Sequence, residues 1–481
     1  MKDILNYIGG KWVPAQGGET FANVNPHSGE TLCQVAKSNT LDVSAAIASA
    51  QSVQESWMAK TAVERGDMGR AITVGMEQRK EEIASIVAEE SGKIFDHAMG
   101  ETQAAIEMGY FIAGEGRRNY GKTMEASMAN RQVLTVRQPL GIAALIIASN
   151  TPIANVTWKA FPSMFCGNVS IMKPSEDTPG TAAIFAEICH EAGLPAGVFN
   201  VVQGLGADVG PALVSAPEVD LVSFTGGHKT GSVINRIAGE RLAKVCLELG
   251  GKNALVVCDD ADLDLAAKWI IASSFSNAGQ RCAAASRIIA FSGIYDALRE
   301  KVLSAMKNLK LGVEPGDDLG PVINQRQLDN MLSAIEGAKA EGADISAGGS
   351  RSAVHPGFYM EPTLIENVSA EASISQNELF GPITCLYKVE SLDEAIALAN
   401  NSEFGLTASI HTASLHRSME YSRRVRTGVV VVNGGTHGSE PHMGFGGLKN
   451  SGTGWREAGA EALDVYSDWK YINLIHSPEK I

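Results

Sequence analysis

A thiol can act as a nucleophile only where the chain both positions it and leaves it within reach of a substrate. The stretch FSNAGQRCAAASR, from Phe275 to Arg287, places Cys282 just after a glycine-broken helix end. Upstream, LELGG sets Glu248 before two glycines, 34 residues ahead of the cysteine. A captured substrate must also be released, and a carboxylate beside a glycine turn can serve as base or activate a water for that step. Taken singly, each residue has a plainer account, a small buried cysteine and a surface glutamate.

Other candidates fall at strand ends. Asn150 follows the apolar run IAALIIAS and precedes Thr151 and Pro152, so its amide sits on a fixed loop where it can donate to an oxyanion or bond its own backbone. NVSIMKPSEDTP puts Lys173 and Glu176 after another strand, where a carboxylate accepts from ribose hydroxyls and repels a ribose phosphate, favouring NAD over NADP. SFTGGHKTGS places Gly226 and Gly227 at a helix start that can approach a pyrophosphate. GLGADVG resembles a dinucleotide fingerprint with its last glycine one position late, and is read as a turn and helix cap. His437 and His442 share a glycine-rich loop without a third ligand, so no metal is expected.

The elements that must hold these residues follow from periodicity. Helices are expected from about Thr40, with Val43, Ile47, Val53 and Trp57 on one stripe, from Met76 to Glu90 with Gly92 as its stop, and from Phe95 to Arg117. From Arg131, continuous apolar strands alternate with helices, the pattern of a parallel sheet covered on both faces and suited to a dinucleotide. A second alternating region, from about Asp259 to Val432, contains the cysteine and implies a second α/β domain. The tail ALDVYSDWKYINLIHS reads as a late strand with exposed aromatics.

Bulk properties narrow the function further. The 481 residues imply two or three domains, and 20% charged with 44% hydrophobic residues is ordinary globular composition. A net charge of −14 argues against nucleic acid or an anionic membrane as a general partner. The amino terminus lacks the unbroken apolar core of a signal peptide, and a cytoplasmic protein is expected. Seven cysteines without paired CxxC spacing point to neither disulfide nor structural zinc.

These landmarks occur in the order found in the aldehyde dehydrogenase superfamily, which the chain resembles over nearly its whole length. They are Asn150, the pair Trp158 and Lys159, KPSE from Lys173, FTGG from Phe224, LELGG, GQRC, ELFGP with Glu378 and Phe380, and GFGGLKNSGTG from Gly444. The resemblance implies an α/β fold with a doubly wound dinucleotide-binding domain (1–118 and 138–250), a catalytic α/β domain (251–449) and a small β oligomerisation arm (119–137 and 463–481). It implies a homodimer or homotetramer, with NAD as cofactor and NADP as the alternative. Cys282 would attack an aldehyde, Asn150 would steady the oxyanion, and Glu248 would activate water against the thioester. Glu378 and Phe380 would position the nicotinamide end, Lys173 and Glu176 the adenosine ribose, and Gly226 and Gly227 the pyrophosphate.

For the substrate, the resemblance points to semialdehyde dehydrogenases. Arg118, Arg281, Ser439 and Trp158 are its candidate contacts, because guanidinium binds carboxylate in a fork. An ω-carboxylated semialdehyde is therefore expected, with the arginines as structural ion-pair partners in the competing account. The arginine that succinate semialdehyde dehydrogenases place six residues before the cysteine is Ser276 here, Ser149 replaces a common tryptophan, and Trp455 is inserted after Gly454. Two rival functions stand beside this one: a coenzyme A-acylating semialdehyde dehydrogenase, and a non-catalytic structural protein on the same scaffold. Acylating relatives lack the glutamate retained here as Glu248.

Overall fold

The computed structural model describes residues 2–477. Of the expected arm, residues 478–481 lie outside the described residues. Two seven-stranded sheets organise the chain. The first runs Lys244–Leu249, Val219–Gly226, Ile142–Ile146, Val169–Lys173 and Phe199–Val201, all parallel, and is extended by antiparallel Asn6–Ile8 and Lys11–Val13. Ile142–Ile146 and Val169–Lys173 are buried throughout, because helices cover both faces of the sheet and leave no side for polar alternation. Strand order reverses at Ile142–Ile146, which puts a topological switch point beside Asn150.

The second sheet runs Asp344–Ala347, Thr363–Glu366, Ile383–Val389, Ala285–Phe291, Asn253–Val257, Thr407–His411 and Val429–Val432, parallel except for its first strand. The expected doubly wound region, second α/β region and separate β element are all present. In the last of these, Ser467–Ile475 pairs antiparallel with Arg131–Pro139 over nine residues, and Arg131–Pro139 also pairs with Thr123–Met124.

The first helix, Thr40–Met58, buries Val43, Ile47 and Trp57 as its stripe requires, and Asn39 caps it reciprocally with Asp42. The helix expected over 76–90 is instead two, Ala62–Gln78 and Lys80–Ser91. They meet at Arg79, whose φ of −108° and ψ of 22° are not helical. Gly92 ends the second with φ of 69°, as its position suggests. The third helix stops at Gly114, and Glu115–Arg117 tighten into a 3-10 turn.

Asn168 joins the first sheet to the tail. Its Oδ1 accepts from the Leu140 and Gly141 N–H groups (2.8 and 3.0 Å), while its Nδ2 donates to the Ser163 and Tyr466 carbonyls (3.2 and 2.7 Å). The side chain is fully buried. Asn168→Ala strands these backbone groups away from water and should cost about 3 kcal/mol of stability. Chemical denaturation of the variant checks this, and an unchanged midpoint would contradict it.

Candidate active site

The carboxyl ends of four parallel strands deliver the first set of groups. Asn150 follows Ile142–Ile146, Glu176 follows Val169–Lys173, Gly226 and Gly227 close Val219–Gly226, and Glu248 lies near the end of Lys244–Leu249. The second sheet contributes from its amino edge, where Gly251 precedes Asn253–Val257, Cys282 precedes Ala285–Phe291 and Gly381 precedes Ile383–Val389.

Cys282 is positioned by an irregular loop. The helix Leu263–Phe275 passes into a 3-10 turn in which Asn277, Ala278 and Gly279 all have left-handed φ (56°, 52° and 67°). For Ala278 this conformation costs on the order of 1 kcal/mol, which the surrounding bonds must offset. Asn277 Nδ2 donates to the Gln280 and Asn150 carbonyls (3.1 and 3.2 Å), tying the thiol loop to the Asn150 loop. A Cβ on Gly279 would lie 2.1 Å from the Gly381 oxygen, so glycine lets this loop touch the segment that carries Glu378 and Phe380. Asn253 Nδ2 donates to the Cys282 and Ala284 carbonyls (2.7 and 2.9 Å).

Two carboxyl groups border the thiol. Glu248 is buried and neither of its oxygens has a hydrogen-bond partner. Burial and the nearby Glu457 raise its pKa well above the usual carboxylate range, against the pull of Lys159 and Arg456. Its Oε1 would lie 2.8 Å from a Cβ on Gly446, so that glycine leaves it room. Glu378 accepts from the Gly251 N–H (3.1 Å), and burial pushes its pKa up to about 7. Loss of water and these two carboxylates push the Cys282 thiol up to about 12, opposed by the Ala283 N–H and Arg281. At neutral pH the resting site therefore holds a protonated thiol.

The expected cofactor residues form a cradle at the switch point. Gly227 caps the helix His228–Gly239 with no side-chain bond, and a Cβ there would meet open space, which leaves the helix's first N–H groups accessible to an anion. Lys173, buried, pairs with the partly exposed Glu176 at 3.6 Å and donates to the Pro174 carbonyl at 2.5 Å. Phe380 has a left-handed φ of 56°. These groups fit a dinucleotide: the glycines would hold its phosphates, and Lys173 with Glu176 its ribose.

The expected substrate residues divide. Arg281 lies beside Cys282, with Glu101 the opposite charge that acts on it most, and its buried Nε has no partner. Ser439 Oγ is also buried and unpartnered. Trp158 packs edge-on against Phe445 at 6.0 Å, beside the loop that meets Glu248. Arg118 is more than half exposed and bonds Glu115 (2.6 Å), which leaves it outside the group gathered round Cys282. Among the described residues, no cluster of three or more His, Cys, Asp or Glu side chains is placed to hold a metal ion.

Several positioning residues were not visible as such in the sequence. Glu101 accepts from the Ile153 and Ala154 N–H groups (3.0 and 3.3 Å), capping the helix that begins after Asn150, and pairs with Lys93. Lys159 bonds Glu457 (2.5 Å) and Ser223 (2.9 Å) beneath Glu248. Neither glutamate sits in a spacing that announces it. The thiol's raised pKa gives a direct test. Alkylation of resting Cys282 by iodoacetamide should quicken about tenfold per pH unit from 7 to 9, as the thiolate fraction grows. Glu378→Gln should make it faster at a given pH, whereas a flat profile would contradict this electrostatic account.

Residues 12–472 match the model of the aldehyde dehydrogenase family. The chain is 38% identical over 474 residues to the α-ketoglutaric semialdehyde dehydrogenase of Bacillus subtilis (strain 168), covering 97% of each. It is 37% identical over 467 residues to the mitochondrial succinate-semialdehyde dehydrogenase of Oryza sativa subsp. japonica, covering 97% of this chain and 88% of that one. Among solved structures it is similar to betaine aldehyde dehydrogenase of Staphylococcus aureus in complex with NAD+, with a TM-score of 0.96, 32% identity, and coverage of 98% of this chain and 95% of that one. The chain therefore belongs to the aldehyde dehydrogenase family and is an NAD(P)-dependent aldehyde dehydrogenase.

Proposed function

We propose that this enzyme oxidises an ω-carboxylated semialdehyde to the dicarboxylic acid through a thioester on Cys282, with NAD preferred to NADP. The observation that carries the substrate reading is Arg281, a partly buried side chain beside the nucleophile whose buried Nε has no partner among the described residues. A buried donor left unmatched is costly unless a ligand fills it, and a carboxylate does so with a charge-assisted bond. Ser439 Oγ supplies a second donor. Relatives named for α-ketoglutaric and succinate semialdehydes support the same class.

In this reading, Glu248 or a water removes the Cys282 proton when the aldehyde arrives, and the sulfur bonds the carbonyl carbon. The Asn150 amide and the Cys282 backbone N–H hold the oxyanion. NAD, which Lys173, Glu176, Gly226 and Gly227 would hold, would supply the acceptor for the hydride that leaves that carbon. Glu248 then takes a proton from water, which attacks the thioester; the carbon–sulfur bond breaks, and the acid and the thiol are released. Because burial and Glu457 raise the Glu248 pKa, more of it becomes carboxylate as pH rises, and hydrolysis should quicken accordingly. Glu176 supports NAD, since a second negative group on the ribose would face its carboxylate.

The arm is read as an interface of a homodimer or homotetramer. On the strand Ser467–Ile475, Tyr471 and Ile475 are 64% and 67% exposed on one face and Leu474 is 48% exposed on the other, apolar surface that a second copy would cover. No helix among the described residues is long and apolar enough to cross a membrane, and a cytoplasmic location is part of this proposal.

NADH formation from succinate semialdehyde, α-ketoglutaric semialdehyde and neutral aldehydes of equal length, with and without coenzyme A, tests the reading. Acidic aldehydes should be favoured, with no need of coenzyme A. Arg281→Ala should raise KM for the acids by about tenfold or more and for neutral aldehydes far less, corresponding to one lost charge-assisted bond. Equal effects on both classes, or strict dependence on coenzyme A, would overturn the proposal.

A further inference from the structure

Besides the two Glu248 oxygens, the buried polar atoms without a partner among the described residues include three side-chain donors, Arg281 Nε, Ser439 Oγ and His437 Nδ1. A carboxylate, which only accepts, accounts for the first two. His437 is left over.

Its loop is held against the nucleophile and does not hang free. Thr436 Oγ1 donates to the Ala283 carbonyl (2.6 Å), and the Thr436 N–H donates to Ser273 Oγ (3.2 Å). Ser409 Oγ donates to the Gly434 carbonyl at 2.6 Å, and His411 Nε2 lies 3.1 Å from that oxygen. The imidazole packs edge-on against Trp269 at 6.4 Å. Between His437 and Ser439, Gly438 turns the chain at φ of 118°, a conformation that a side chain would resist. The loop thus carries two orphaned polar atoms, on His437 and Ser439, and it brings the imidazole of His437 within reach of the Arg281 charge.

Charge and protonation narrow the ligand. Burial and the Arg281 cation push His437 down to about 4, so the imidazole is neutral near pH 7. In the tautomer with its proton on Nδ1, it donates one uncharged hydrogen bond. Arg281, Ser439 and His437 together then offer a donor set that matches three acceptor oxygens. An unsubstituted carboxylate carries two; a 2-oxo carboxylate carries three on adjacent carbons.

We propose that His437 is a specificity-determining residue that donates from Nδ1 to an oxo group beside the substrate's carboxylate, selecting 2-oxo acid semialdehydes over unsubstituted acids of equal length. This rests on the reading that Arg281 binds the carboxylate.

The test compares 2,5-dioxopentanoate with 5-oxopentanoate, which differ only in the oxo group, in the wild-type enzyme, His437→Leu and His437→Gln. In His437→Leu, kcat/KM for 2,5-dioxopentanoate should fall about tenfold more than for 5-oxopentanoate, the effect of one lost donor. His437→Gln, which keeps a neutral donor, should recover most of that ratio and guards against misfolding of the leucine variant. Equal losses on both substrates, or a ratio unchanged in both variants, would overturn the role of His437 alone. If the wild-type enzyme oxidised neither acid better than pentanal, the carboxylate reading would fail and take this inference with it.

Discussion

One buried amide, Asn253, holds the reacting end of this enzyme together. Its Nδ2 donates to the carbonyls on either side of Ala283, and its Oδ1 accepts from the Thr407 N–H (3.0 Å) on the neighbouring strand. The loop that bears the thiol is thereby fixed to two strands of the second sheet. Gly251 makes the arrangement fit, because a Cβ there would lie 2.5 Å from Asn253 Oδ1 and 2.9 Å from the Cys282 oxygen. Its neighbour Gly250 is crowded from the other side, where a Cβ would sit 1.8 Å from Glu378. The two glycines of LELGG thus serve steric needs: they let the Glu248 strand pass between the thiol loop and the Glu378 loop.

The same closeness sets the electrostatics. Glu248 and Glu378 both raise the thiol's pKa, and Glu457 raises that of Glu248 in turn. A resting site that ionised all of these would gather negative charge out of water at high cost. Burial answers that cost by raising the pKa of both the thiol and Glu248, which disfavours their charged forms. Below them, Lys159 neutralises Glu457, so the buried charge under Glu248 is paired. Cationic Arg281 pulls the thiol's pKa the other way, against the two carboxyl groups.

Much of this was legible in the sequence, because the chemistry is carried by short motifs at strand ends. The apolar runs around IAALIIA and NVSIMK gave away parallel strands, and strand carboxyl ends in a parallel sheet are where ligands bind. What stayed hidden depended on long-range partners. Asn253 looks like the first residue of a strand, and only the fold shows its amide reaching Cys282 across the sheet. Arg118 lies in a segment that resembles a carboxylate-binding one of semialdehyde dehydrogenases, but in the fold it pairs with Glu115 one turn earlier. In the sequence His437 suggests at most a metal ligand, and its orphaned nitrogen emerges only once burial is known. The break at Arg79 was invisible because apolar periodicity continues across a bend that changes only two dihedral angles.

The account centres on a thioester at Cys282 that Glu248 helps water to release. Its most direct test is a rapid-mixing experiment on Glu248→Gln with NAD and a semialdehyde, followed by mass measurement of the quenched chain. The account predicts a burst of about one NADH per subunit, then a turnover slowed by about a hundredfold or more, with the acyl group retained on Cys282. Full steady turnover, or NADH formation with no acylated Cys282, would contradict it.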